Sequence, residues 1–155
     1  MSGTSPAVAL EDLTISITQE IHVKAPIDVT FAALLEQLGP AADRPEGTSM
    51  KMKLEPWPGG RWYRDLGDGN GHLWGHVQAI KKPTLLEFCG PLFMSYPASN
   101  NVQYRLSEVP GGTLITFHHT ALGFIDAQHR EGALQGWTHL NEGARKRAEA
   151  AARPR

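Results

Sequence analysis

From Ile15 to Val23, positions 15, 17, 21 and 23 are aliphatic and 19 is Gln, while Ser16, Thr18 and Glu20 fall between them. That period of two predicts a half-buried strand. Pro26 follows where a helix can begin, because its missing N–H would be unsatisfied there anyway. Phe31, Leu34, Leu35 and Leu38 then recur at helical spacing, and Gly39-Pro40 ends the helix. Residues 41–50 are polar and irregular. Beyond them the period returns to two, and strands are expected at Met52–Leu54, Arg61–Leu66, His72–Ile80, Leu85–Cys89, Val102–Leu106 and Thr113–Thr120. Turn residues separate them, above all Asp68-Gly69-Asn70-Gly71 and Pro110-Gly111-Gly112. Gly90 to Asn100 reads as a long connection.

The last element is a helix from about Asp126 to Ala151, with Asp126 as a suitable N-cap. At about 100° per residue, Ala133, Leu134, Trp137, Leu140, Ala144 and Ala148 share one face of it. That face offers one large aromatic among small residues. Gly132, Gly136 and Gly143 each cost about 1 kcal/mol against Ala in a helix interior. The pattern therefore predicts an α+β chain: residues 1–12 as a loose leader, and 13–151 as a single domain with about seven antiparallel strands and a long C-terminal helix.

Composition narrows the function classes. At 155 residues the chain can bury roughly 70% of its unfolded surface, enough for a core without a metal or disulfide staple. Fifteen Lys and Arg against 16 Asp and Glu leave no basic stripe of the kind nucleic acid requires. Cys89 is the sole cysteine, which suits a reducing compartment. No apolar run approaches the ~20 residues needed to span a bilayer, and residues 1–12 lack the pattern of a secretion signal. A cytoplasmic protein is expected, with no membrane or nucleic-acid partner.

Several short motifs stand in order: PGGRW (Pro58–Trp62), WGHV (Trp74–Val77), KKPTLLEF (Lys81–Phe88), VQYRL (Val102–Leu106) followed by GGT (Gly111–Thr113), and GW (Gly136–Trp137). Their order and spacing resemble the START-like (SRPBCC) superfamily, in the branch named after the activator of the Hsp90 ATPase and grouped with polyketide cyclases. The resemblance covers roughly residues 13–150. It implies a helix-grip fold, in which a curved sheet wraps the C-terminal helix around a cavity. Members of the family often carry a tryptophan after the first helix, and residues 39–50 here contain no aromatic.

Matched to the family's inward positions, strand parity turns Trp62, Arg64, Leu73, Val77, Phe88, Tyr104, Phe117 and His119 toward that cavity, with Trp137 opposite. A mostly apolar lining with a few polar groups is what small-molecule sites look like. Arg64 would hold a ligand carboxylate or pair within the protein, since an unpaired buried charge is costly. His119 is the candidate acid or base near Tyr104, because imidazole titrates near neutral pH.

The seven histidines do not suggest a metal. His72 and His76 lie ~13 Å apart along a strand, whereas ligands of one zinc sit ~2 Å from it. His118 and His119 point to opposite faces. His72, Trp74 and His76 are expected on the outer face. No HExxH, P-loop, GxGxxG or Ser–His–Asp spacing is present.

These readings favour a module that binds a small apolar or amphipathic molecule, with no cofactor or metal. The alternatives are a cyclase-, dehydratase- or hydrolase-type enzyme using His119 with Arg64 or Tyr104, and an interaction protein of an Hsp90-type chaperone. Leu92, Phe93, Met94 and Tyr96 form an apolar loop cluster that is expected at the surface, as a pocket lid or a homodimer contact.

Overall fold

The computed structural model describes residues 7–93, 95 and 97–153. Seven antiparallel strands form one sheet: β1 (Thr14–Val23), β2 (Met52–Leu54), β3 (Arg61–Gly67), β4 (Asn70–Lys81), β5 (Leu85–Gly90), β6 (Ala98–Val109) and β7 (Gly112–Gly123). Their spatial order is β1-β7-β6-β5-β4-β3-β2, so β1 closes against the last strand and the rest form a meander. Helix α1 (Ile27–Leu38) links β1 to β2, and α2 (Ala127–Ala152) follows β7. This is the α+β helix-grip architecture. β6 begins at Ala98, so the connection read as Gly90 to Asn100 is shorter than its composition suggested.

Alternation does what the hydrophobic pattern demands. Ile17, His119, Val102 and Phe88 lie in one row across β1, β7, β6 and β5, and Gln19, Phe117, Tyr104 and Leu86 form the next. These rows face α2, whose buried residues are Ala133, Trp137, Leu140, Asn141, Ala144 and Ala148. Leu134 was expected on that stripe and is 51% exposed. It sits about 70° from the stripe's centre at 100° per residue, at the edge of the buried face.

Local chemistry fixes the ends. Asp126 caps α2 by accepting a bond from Gln128 N at 2.7 Å. The indole of Trp62 donates to Leu38 O at 2.8 Å, satisfying a carbonyl in the last turn of α1. Arg130 of α2 donates to the carbonyls of Glu11, Asp12 and Thr14, which ties down a 3-10 turn at Leu10–Leu13. None of the described helices is long and apolar enough to cross a membrane.

One departure from alternation matters for the site. Trp62 pairs with Gly75 and Tyr63 with Leu73, so Trp74 is the extra residue of a β-bulge. The bulge reverses parity: Trp74 is buried, and Leu73, expected inside, is 41% exposed. Beside the bulge, two glycines let β4 and β5 approach closely. A Cβ on Gly75 would stand 2.5 Å from Cys89 O, and one on Gly90 would stand 2.5 Å from Gly75 Cα.

Candidate functional site

In the middle of the domain the inward aromatic side chains pack on one another. Trp62 stacks on Phe88 with ring centroids 4.4 Å apart, Phe117 lies 4.9 Å from Trp137, and Tyr104 lies 5.0 Å from Phe117. Trp62, Phe88, Tyr104, Phe117 and Val77, all expected to line a cavity, are buried in this packing. Open space lies at its edge. There a cleft of about 340 Å³ runs between the first half of α2, the 43–50 segment and the side chains of Trp74 and Phe93.

Trp137 belongs to both regions. One side of its indole packs on Phe117, while the residue also walls the cleft. Trp74 reaches the cleft because of the bulge, and it meets Trp62 edge-on at 5.1 Å and Phe93 at 5.6 Å. Phe93 in turn lies 5.7 Å from His129 of α2. The apolar loop expected at the surface is turned inward where it is described. Leu92 is fully buried, its N–H bonded to Trp74 O at 2.7 Å, and Phe93 packs into the cleft wall. Met94 and Tyr96 lie outside the described residues. The described part of the loop thus acts as a wall, which removes Leu92 from the surface patch that suggested a homodimer.

His119 sits one side chain behind the cleft. Its Nδ1 accepts from the Trp137 indole at 2.9 Å, so in the neutral ring Nε2 carries the proton and donates to Asn100 Oδ1 at 2.8 Å. Asn100 continues the chain to Pro91 O at 3.3 Å. Burial pushes the imidazole down to about 4, because its charged form would lose its hydration. At neutral pH this ring is uncharged, and both its nitrogens are engaged.

Tyr104 and Arg64 are similarly occupied. The Tyr104 hydroxyl donates to Asn141 Oδ1 at 2.8 Å, Asn141 donates to Gln19, and Gln19 donates to Thr138 at 3.0 Å. Burial raises the phenol above its ordinary value. Arg64 is half-buried near the other sheet edge and donates to Met50 O at 3.1 Å. The three polar residues that the sequence offered as a constellation are thus held by three different neighbours. Among the described residues, no three His, Cys, Asp or Glu side chains converge as metal ligands would.

Pattern reading missed the groups that shape the cleft. Asp43 and Arg44 come from a segment read as an irregular connection, and His139 Nε2 of α2 donates to Asp43 Oδ1 across 3.1 Å at the rim. Gly132 and Gly136 were visible as anomalies of helix propensity. A Cβ on either would meet nothing within 4 Å, whereas one on Gly143 would stand 2.6 Å from the Gln37 amide of α1. Gly143 therefore serves helix packing, and the other two border open space.

The profile of the family described as Activator of Hsp90 ATPase homolog 1-like protein matches residues 24–143. The chain belongs to this family. No curated protein matches it significantly. Among solved structures, an uncharacterized protein from Rhizobium leguminosarum is similar over 88% of this chain and 95% of its own, with 21% identity and a TM-score of 0.66. A protein of unknown function from Staphylococcus aureus matches with TM-score 0.66 at 11% identity, over 92% of this chain and 98% of its own. The di-domain ARO/CYC protein StfQ of the steffimycin biosynthetic pathway matches with TM-score 0.61 at 13% identity, over 92% of this chain and 52% of that one. At these identities the likeness carries the fold alone.

Proposed function

We propose that this family member binds a small apolar or amphipathic molecule in the cleft bounded by Trp74, Phe93 and Trp137. The observation that carries the reading is the pair Gly132 and Gly136. Each costs about 1 kcal/mol against Ala in a helix interior, and no protein atom stands where a Cβ would go. Packing within the protein does not demand glycine at either place. A ligand approaching the helix backbone does. The cleft's volume and aromatic walls fit the usual character of small-molecule sites. The likeness to an ARO/CYC protein of a biosynthetic pathway agrees with a small-molecule role.

A catalytic role for His119 finds no support in its surroundings, since Trp137 and Asn100 take both its nitrogens and Trp137 separates it from the cleft. Association with an Hsp90-type ATPase rests on the family's description alone. The test of the binding reading is titration with the neutral fluorescent probe N-phenyl-1-naphthylamine. Wild type should give saturable enhancement. Gly136→Leu, which fills the cleft from the helix side, should weaken it about tenfold or more while leaving the far-ultraviolet dichroism intact. Equal binding by the two proteins would refute the site.

A further inference from the structure

Two cavities meet at a single side-chain pair. Beyond the apolar cleft, a polar cleft of about 710 Å³ continues along α2 between Gln37 of α1 and Glu142, Lys146 and Arg147. Asp43 and His139 line both, and their 3.1 Å contact stands between them.

The ionic groups on the apolar cleft are unequally engaged. The Asp43 carboxylate is in contact with His139 Nε2 and accepts from Gln37 Nε2 at 3.5 Å, so its charge faces donors of the protein. Arg44 is different. Its guanidinium donates to two uncharged oxygens, Thr48 Oγ1 and Ser49 O, each across 3.4 Å. Those are long bonds for a charged donor, and a guanidinium carries five N–H groups in a fork suited to a carboxylate. Glu46, the nearby acid of the same loop, accepts from Thr48 at 2.8 Å and feels the Arg44 charge, but it is Thr48 and Ser49 that take the guanidinium's hydrogen bonds. The cleft thus has apolar walls, an acid already engaged, and a cation with donors to spare.

We propose that the cleft takes a monocarboxylate with an extended apolar body, its tail against Trp74, Phe93 and Trp137 and its head on the Arg44 guanidinium. This rests on the ligand-binding reading above and names the class of ligand. It also moves the anionic contact from Arg64, which the sequence singled out, to Arg44. Arg64 donates to Met50 O and does not border the cleft. Lys146 and Arg147 lie past the Asp43–His139 pair, about 10 Å farther along the helix than His139 at ~1.5 Å per residue.

The experiment is a set of intrinsic tryptophan fluorescence titrations near neutral pH with dodecanoate, methyl dodecanoate and dodecylamine. Wild type should bind dodecanoate about tenfold or more tighter than the ester, as a desolvated charge-assisted bond requires, and the amine most weakly. Arg44→Gln should bring dodecanoate down to the ester's affinity and leave the ester unchanged, which also reports that the cleft survives the substitution. Lys146→Gln and Arg147→Gln should keep the preference. Equal affinity of acid and ester in wild type overturns the head-group assignment but leaves the binding site standing. Tightest binding of the amine overturns it in favour of a cation at Asp43, and loss of the preference in the Lys146 or Arg147 variants overturns it in favour of the polar cleft. Binding of none of the probes defeats the proposal and the ligand-binding reading together.

Discussion

Acid should destabilise this protein through His119 as the pH falls from about 6.5 to about 4. The ring is fully buried, with Nδ1 accepting from the Trp137 indole and Nε2 facing Asn100 Oδ1. Protonation would put the ring's second hydrogen on Nδ1, directly against the indole N–H. Burial therefore holds the folded-state pKa at about 4, below the ordinary 6.5. Between those values the unfolded chain binds the proton and the folded chain does not, so stability rises with pH across that window and is lost as pH falls through it. Linkage gives a loss of about 1 kcal/mol by pH ~5.5 and about 3 kcal/mol by pH ~4, relative to neutral pH. The assay is urea denaturation followed by far-ultraviolet dichroism across this range, for wild type and for His119→Gln, which cannot titrate there. The variant starts less stable at neutral pH, and the gap should close on acidification by roughly the amounts given. A gap of constant size at every pH would refute the argument.

Four further substitutions probe the packing. Trp137→Ala removes a buried indole and leaves His119 without its donor, so it should cost about 3–5 kcal/mol in a thermal or chemical melt. Gly75→Ala should cost about 1–3 kcal/mol, because its Cβ would stand 2.5 Å from the backbone oxygen of Cys89 in β5. Gly132→Ala should instead stabilise by up to about 1 kcal/mol, since its Cβ meets nothing. Tyr104→Phe should lose about 1–2 kcal/mol by stripping the buried Asn141 of a donor.

Much of the fold was legible because local signals agreed with one another. Pro26 and Gly39 bracket α1, Asp126 caps α2, and the period-two runs became strands whose inward residues fall in rows across the sheet. What escaped depends on contacts between distant segments. Nothing in the residues around Trp74 says that β3 pairs with β4 one residue out of step, yet that bulge decides whether Trp74 or Leu73 faces inward. Leu92 looked like surface because its neighbours are loop residues, yet it packs into the core with its N–H bonded to Trp74 O. His119 was seen as a polar residue at an inward position, but its partners Asn100 and Trp137 lie 19 and 18 residues away. The glycines of α2 carried a readable signal. Their poor helix propensity marked something to explain, and the geometry divides them between the α1 contact and the cleft.

The tryptophan indoles supply the most direct test of the binding site. Trp74 and Trp137 wall the cleft, while Trp57 is 54% exposed in the turn between β2 and β3. Proton–nitrogen correlation spectra recorded during titration with N-phenyl-1-naphthylamine should show the Trp74 and Trp137 indole signals moving together and saturating, with Trp57 still. Movement of Trp57 alone, or an unmoved set of indole signals at probe saturation, would contradict the account.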